Sequence, residues 1–580
     1  MNKNLQAVAK IRLGLDRNFD AWLYSMLMDN NLAYKLNPHL IASHEQLAFM
    51  VQLEEDQVYL PCSDQTFWLL NTSNAKLQKL YNRAWRILVR LVRQNITDPL
   101  IRQMVFKFCS YRFRQYTTQK TLLPQRLVKR MTDLILTQGF NFEEDPWLEF
   151  KHQAVQKHAK LLNLQALKAA LDYVEPQTLS SSLSAIRESL DQLEMVRLFC
   201  CTLLARQWED QPPSALEIKE TFQAAEQASA HILPIIKSGH KQLTILYLCD
   251  ADGSPFFDLM AIKALMRMGH KVIYAVKDGF YFYAPTIKDL ANDPILEDLA
   301  KAGKIITAKD LSKNELLQEL HTHKLLIIND GTRERLNLYR VSITFARAWK
   351  EADLILARGW RAHDVLLGTS HQFTRDIVCF WQDDTGLHVE LRPKAEQAHK
   401  FSEQDLKTCA DQIIKTMREA HKEKRTVMFF SCIIGSIPGQ TQMAINLAKT
   451  FVQDLRQKLA DVLIINPAEH FIQGMDGDDL MYIWERVQRS GQIDIWRFQT
   501  TQDIEHSFAL LGQKIPPIWS GKDATYSTGC TKEMRIALDV QQKNREMQII
   551  GPDPKLFFRR GEYGIGQYFD AAINAQNYRR

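Results

Sequence analysis

The chain has 580 residues, 46% hydrophobic and 24% charged, which is a globular balance and excludes disorder as the dominant state. Only 23 Gly and 19 Pro interrupt it, so long helices are expected, and collagen-like, low-complexity and small disulfide-stapled classes are excluded. The net charge of +6 conceals an asymmetry: residues 76–130 hold fourteen Lys or Arg against one acid, Asp98, so the remainder is net acidic. The nine cysteines are scattered, with no C-x-x-C pair, which signals neither a disulfide framework nor a zinc ribbon. That usage suits a cytoplasmic or other reducing compartment. Lys3, Lys10, Arg12 and Asp16 leave no signal-peptide core, and no apolar run reaches the roughly 18 residues of a transmembrane segment.

Residues 1–237 read as helical, with the basic subdomain at 76–130. In "KLQKLYNRAWRILVRLVRQ", Leu77, Leu80, Tyr81, Ala84, Leu88, Leu91 and Val92 share one helix face. The other face carries Lys76, Lys79, Arg83, Arg86, Arg90 and Arg93. Such a face either covers apolar surface with long side chains or meets an anionic partner: nucleic acid, an acidic protein or a membrane surface.

The period changes near residue 243. "LTILYLC", "KVIYAV", "KIITA", "KLLIIN" and "DLILAR" are short apolar runs separated by helical stretches, and "DIVCFW" and "LHVELR" follow. Strands alternating with helices predict an α/β class: a Rossmann-like parallel sheet over 238–420, after the all-helical region. A second α/β domain is expected over 425–580, from "VMFFSCIIG", a helix and "DVLIIN".

Ligands of open parallel sheets gather at the carboxyl ends of the strands. The first strand ends in "CDADGSPFFD", so Asp250 and Asp252, with Gly253 beside them, suit a hard divalent cation bridging to phosphate. The alternative is a loop whose acids cap the next helix. The second strand delivers Lys277 and Asp278 to the same edge, with Phe280, Tyr281, Phe282 and Tyr283 to wall a pocket or fill core. The fifth delivers Arg358 and Arg361, which suit an anion or are surface cations beside Asp353 and Asp364.

"DADGSPFFDLMAIKALMRMGHKVIYAVKDG" and "RVSITFARAWKEADLILARG", at their spacing, resemble the metal-dependent damage-control phosphatase family. The resemblance implies a helical bundle joined to a Rossmann-like domain that removes phosphate from small phosphorylated metabolites with Mg, Mn, Co or Ni. It is best over 243–395 and leaves 425–580 uncovered. Carried over, it makes Asp250 a metal ligand and matches Gly253, Asp258, Lys277 and Thr286. The family's metal-binding Asn falls on Ala251 and its second metal-binding Asp on Ala284. Its phosphate-contacting Lys-Gly appears as Arg358-Gly359, and Asp252 replaces an Ala as a substitute oxygen ligand. Two expectations follow: a phosphatase in which Asp250 and Asp252 hold the metal, or a catalytically silent relative that binds an anionic partner.

"YLCDADGS" also resembles the haloacid dehalogenase nucleophile loop, with "QGMDGDDL" at 473–480 as its later acidic motif. In the last block, "GSIPGQT" at 435–441 has the setting of a phosphate loop without its Lys, and otherwise reads as a Gly-Pro turn. Cys530 stands at a helix start, as a nucleophile or beside ordinary caps Ser527, Thr528 or Thr531.

Overall fold

The fold is that of a computed structural model, which describes residues 10–32, 49, 58–70, 75–120, 122–137, 145–172, 182–236, 242–437, 439–470 and 475–558. The expected boundary at 237–238, Gln473 and Gly474 of the acidic segment, and Pro438 of the Gly-Pro turn lie outside the described residues. The chain divides into two compact units, residues 1–398 and 399–580.

In the first unit, β1 (Thr244–Leu248), β2 (Lys271–Val276), β3 (Lys304–Ile306), β4 (Leu325–Asn329), β5 (Leu354–Arg358), β6 (Asp376–Asp383) and β7 (Gly386–Arg392) form one sheet. Its order is β3-β4-β2-β1-β5-β6-β7. The first six strands are parallel to their neighbours, and β7 returns antiparallel to β6. The continuous apolar runs exist because these strands are buried on both faces: every residue of β4 and β5 is buried. Alternate side chains divide the work. Ile245, Tyr247, Tyr274, Leu356 and Phe380 join the core supplied by the helices Leu183–Trp208 and Pro255–Arg267. Phe199 of the first helix stacks on Phe380, with centroids 4.5 Å apart. The helical region and the sheet therefore share a core.

The helices Arg17–Asp29, Ala75–Asn95, Pro99–Gln119 and Pro124–Thr137 build a separate cluster around Leu23, Tyr81, Leu88, Val105 and Met131. Along Ala75–Asn95 the buried residues are Leu77, Tyr81, Ala84, Leu88, Leu91 and Val92, the apolar face read from the sequence, while Leu80 is only partly buried.

From β1 the chain lays β2, β3 and β4 on one side, then crosses to β5 on the other. β1 and β5 lie side by side at the switch in strand order, where open α/β sheets place the crevice at their carboxyl edge. Leu248 at the end of β1 is in register with Ala357, one residue before Arg358.

In the second unit, β8 (Thr426–Ser431), β9 (Val462–Ile465), β10 (Ile495–Phe498) and β11 (Gln548–Ile550) form a parallel sheet in the order β11-β10-β8-β9. The helix Glu403–Lys422 packs on β8 and on the helix Gly477–Gln488, so it belongs to this unit. The sequence reading had β8 and β9 but not the four-residue β10 or three-residue β11.

Candidate functional site

The crevice between the β1 and β5 loops is crowded with charge. Asp250 is buried and Asp252 is exposed. The Asp250 Oδ2 accepts the backbone N–H of Arg361 at 3.1 Å, and its Oδ1 accepts the neighbouring Ala251 N–H at 2.5 Å. Arg361 Nη1 then lies 3.4 Å from Asp250 Oδ1 and 2.5 Å from Asp252 Oδ2. One guanidinium nitrogen thus bridges the two carboxylates.

Arg358 is spent differently. Its Nε and Nη2 donate to the two oxygens of Asp258 at 2.6 and 2.5 Å, and its Nη1 donates to the Asp252 carbonyl. Tyr247 and Tyr274 donate their hydroxyls to the same carboxylate at 2.6 and 3.3 Å. The Asp258 that the family pattern matches is therefore the anchor of Arg358.

Two glycines make this interlock possible. Gly253 has φ +115, and a Cβ there would stand 2.7 Å from Arg358 Cζ. Gly359 has φ +93, and a Cβ there would stand 2.8 Å from Asp250 Cγ. Each loop's glycine thus receives the other loop's charged side chain, which only an absent side chain permits.

The remaining residues named from the sequence go elsewhere. Lys277 donates to Asp330 Oδ2 at 2.6 Å and to Thr332 Oγ1 at 3.0 Å. Thr286 pairs with Lys277 through the backbone and caps the helix Ile287–Asn292 in a capping box with Asp289. Asp250, Asp252, Gly253, Arg358 and Gly359 are thus brought into contact, while the side chains of Lys277 and Thr286 face partners of their own. Sequence reasoning missed Asp330 and Arg206. Asp330 follows the β4 run directly, a strand-end acid of the kind already read at Asp250; Arg206 sits on a distant helix and left no local signal.

Burial pushes the Asp250 carboxyl up; Arg361 opposes this and Asp252 adds to it, and the net direction is upward. The protein around Asp252 also disfavours its charge, but Arg361, followed by Arg206 and Arg83, holds that carboxyl below its ordinary value. Desolvation works against the Arg361 charge, and Asp252 and Asp250 more than offset it, so the guanidinium stays protonated.

Ala251 and Ala284 are buried in an apolar cluster with Tyr281, Phe282 and Trp147. The Tyr283 N–H donates to the Ala251 carbonyl at 3.1 Å, which fastens the aromatic loop over the turn after β1. Phe282 takes φ +52, a left-handed conformation that costs a bulky residue on the order of 1–3 kcal/mol and persists only where surroundings impose it.

The other singled-out motifs resolve into local structure. Asp476 and Asp479 of "QGMDGDDL" cap the helix Gly477–Gln488. Gln440 precedes the helix Thr441–Lys458, and its Oε1 accepts the Trp519 Nε1–H at 3.2 Å. Cys530 is buried, and burial together with Glu533 raises its thiol well above the ordinary range, so a nucleophile is not formed there; Ser527 caps its helix.

A doubly covered, mostly parallel sheet with charged residues at the switch between β1 and β5 is a Rossmann-like architecture. Residues 70–380, more than half of the chain, match the family model of the damage-control phosphatase ARMT1-like domain, and the chain belongs to that family. Among solved structures it is similar to a DUF89 family protein from Pyrococcus horikoshii, at 18% identity over 54% of this chain and 91% of that one, with a TM-score of 0.35. No curated protein matches it. Among the described residues no helix is long and apolar enough to cross a membrane.

Members of this family typically use a divalent metal, and the donor set here does not fit one. Ala251 and Ala284 offer methyl groups, and both carboxylates that remain are engaged by Arg361. A hard divalent cation seeks about six oxygen ligands, of which the protein would have to supply several. Among the described residues no group of three His, Cys, Asp or Glu is gathered to hold a metal.

Proposed function

We propose that this chain is a damage-control-phosphatase fold in which a built-in guanidinium has replaced the divalent cation, and that it binds a small phosphorylated metabolite without metal-dependent hydrolysis. The observation that carries this reading is the Arg361 Nη1 bridge between Asp250 and Asp252, at 3.4 and 2.5 Å. A cation already sits where the family's carboxylate holds its metal, and it cannot offer a bound hydroxide as nucleophile.

The rival active enzyme requires Arg361 to leave both carboxylates so that Asp250 and Asp252 can take Mg, Mn, Co or Ni. The haloacid-dehalogenase alternative requires Asp250 to attack phosphorus, yet both its oxygens accept hydrogen bonds and Gly359 presses against one side. Turnover of p-nitrophenyl phosphate across that metal panel, with calorimetric Mn²⁺ titration, decides. No metal-stimulated rate and no Mn²⁺ binding are expected; Mn²⁺-dependent turnover abolished by Asp250→Ala would overturn the reading.

A separate observation supports an anionic partner at the basic helix, be it nucleic acid, an acidic protein or a membrane surface. All six cations of the stripe are exposed, and Lys79, Arg83, Arg86, Arg90 and Arg93 make no ion pair with a described residue. The nine free thiols suit a reducing, cytoplasmic-type compartment. Residues 425–580 stay without an assigned role.

A further inference from the structure

Two arginines at the crevice carry guanidinium N–H groups for which the described residues supply no acceptor. Arg361 Nε and Arg206 Nη1 are both buried, and neither has a hydrogen-bond partner among the described residues. Buried polar groups are satisfied in the great majority of native structures, and each exception calls for an explanation such as an ion. These two, among several such buried groups in the described residues, border the same turn.

Arg206 reaches it from the helix Leu183–Trp208, with its guanidinium over the Tyr283 ring at 3.3 Å and its Nε 4.0 Å from Glu209. Arg361 reaches it from the helix Trp360–Leu366, with its guanidinium 5.7 Å from the centre of the Phe282 ring. Phe282 and Tyr283 belong to the loop fastened over Ala251. Asp252 pairs with Arg361 at 2.5 Å although its side chain is 62% exposed. Arg206 and Arg83 also act on that carboxylate.

An exposed acid held among arginines has the charge and size of the ligand such a cluster would take. Guanidinium forks match the oxygens of a phosphoryl group, and such charge-assisted bonds are about twice as strong as neutral ones. Asp250 does not compete, because it is buried under Gly359 and occupied by the Arg361 backbone. Asp252 does compete: its side chain is 62% exposed, and the hydrogen bond that holds its carboxylate among the described residues comes from Arg361.

We propose that Arg206 and Arg361 form a metal-independent subsite for the phosphoryl group of a small phosphomonoester, and that the Asp252 carboxylate is its internal occupant, displaced when the ester enters. The proposal rests on the metal-free reading of the same crevice and adds to it the residues that take the anion and the group that opposes it.

The test is calorimetric titration of the full chain in EDTA with inorganic phosphate and with phenyl phosphate. Asp252→Asn removes the competing charge and is expected to bind phenyl phosphate about tenfold tighter than the parent, a change well within what one charged contact is worth. Adding Arg206→Gln to that variant is expected to reverse the gain. Asp252 is exposed and Arg206 lies at the crevice wall, so an unchanged melting temperature shows both variants folded; Arg361→Lys, which keeps the charge and loses the fork, is expected to weaken binding as well.

Equal affinity of Asp252→Asn and the parent would overturn the subsite alone, provided that Mn²⁺ still has no effect. Phosphate binding that appears only on adding Mn²⁺ would overturn both the subsite and the metal-free reading. Retention on vesicles carrying phosphatidic acid, with no response to either soluble probe, would also overturn the subsite, since a headgroup at a surface would then be the ligand.

Discussion

Two arginines three residues apart, Arg358 and Arg361, leave the same strand edge and meet carboxylates in opposite circumstances. Arg358 and Asp258 are 1% and 0% exposed, joined by two parallel bonds, and two tyrosine hydroxyls fill the remaining acceptor sites. Arg361 is 15% exposed, shares one nitrogen between two carboxylates, and keeps a buried Nε–H without an acceptor among the described residues. The inner pair is complete and therefore inert. The outer one is incomplete, and incompleteness at a sheet switch point is where ligand chemistry belongs.

That difference can be broken by measurement, and the largest effect is at the inner pair. Asp258→Ala leaves the Arg358 charge buried without its counterion, and loss of one partner from such a pair costs about 3–5 kcal/mol. Asp252→Ala removes an exposed partner, a change of about 1 kcal/mol or less. Urea unfolding of the two variants side by side is the check. Equal losses would mean that the inner pair is no more buried in effect than the outer one.

The second unit contains a buried acid with no cation beside it among the described residues. Glu533 accepts the Gln488 Nε2–H at 2.9 Å and lies against Ser431, Cys530 and Cys432. Burial pushes its carboxyl from the ordinary 4.5 up to about 7, and Ser431, Gln488 and Cys530 offset only part of this. A carboxyl raised in the folded state binds its proton more tightly there than in the unfolded chain. Stability therefore falls as pH rises from about 4.5 to about 7 and levels off above, a loss of roughly 3 kcal/mol. Glu533→Gln is expected to abolish that slope and to raise the melting temperature at pH 8; the thiols of Cys432 and Cys530 stay protonated throughout, since burial raises both.

A smaller effect separates crowding from backbone strain. Gly359 and Gly386 both have positive φ, +93 and +134, but a Cβ at 359 would strike Asp250 while one at 386 meets nothing within 4 Å. Strained backbone alone costs on the order of 1–3 kcal/mol at either position. The excess loss in Gly359→Ala over Gly386→Ala, read from urea midpoints, reports the interlock of the β1 and β5 loops. No excess would mean that Asp250 moves aside freely.

The alternation of apolar runs and helices made the sheet legible, because strands buried on both faces leave continuous Ile, Leu and Val behind. Of the residues named at the strand ends, Asp250, Asp252, Arg358 and Gly359 lie in contact, while Lys277 pairs with Asp330 and Thr332. What the sequence concealed is which arginine faces which acid. Arg358 and Arg361 carry the same chemistry, and only the turn after β5 sends one inward to Asp258 and the other across to Asp250 and Asp252. Arg206 was concealed for a related reason, since a residue brought in by packing of a remote helix has no spacing to betray it. The short strands β10 and β11 escaped because three or four residues are too few to establish a period.

The smallest expected effect on stability belongs to the stripe on the helix Ala75–Asn95, where Arg86, Arg90 and Arg93 make no ion pair with a described residue. Arg86, Arg90 and Arg93 line an open groove of about 670 Å³ with Trp85, Val89 and Gln94, and Arg90 lies over the Phe150 ring at 4.9 Å. Like charges three and four residues apart repel by about 0.2–0.5 kcal/mol per pair. Replacing Arg86 and Arg93 with Glu turns those repulsions into attractions with Arg90 and should stabilise the chain by a few tenths of a kcal/mol per pair. Arg83 is left intact, so the crevice is not disturbed. If the stripe binds a polyanion, heparin retention by the parent should fall steeply with salt, because neutralising each phosphate or sulfate releases counterions. The double variant should then elute early although it melts no lower. Identical elution of the variant and the parent would reduce the stripe to a solvated face, and the contrast among the arginines would end at the crevice.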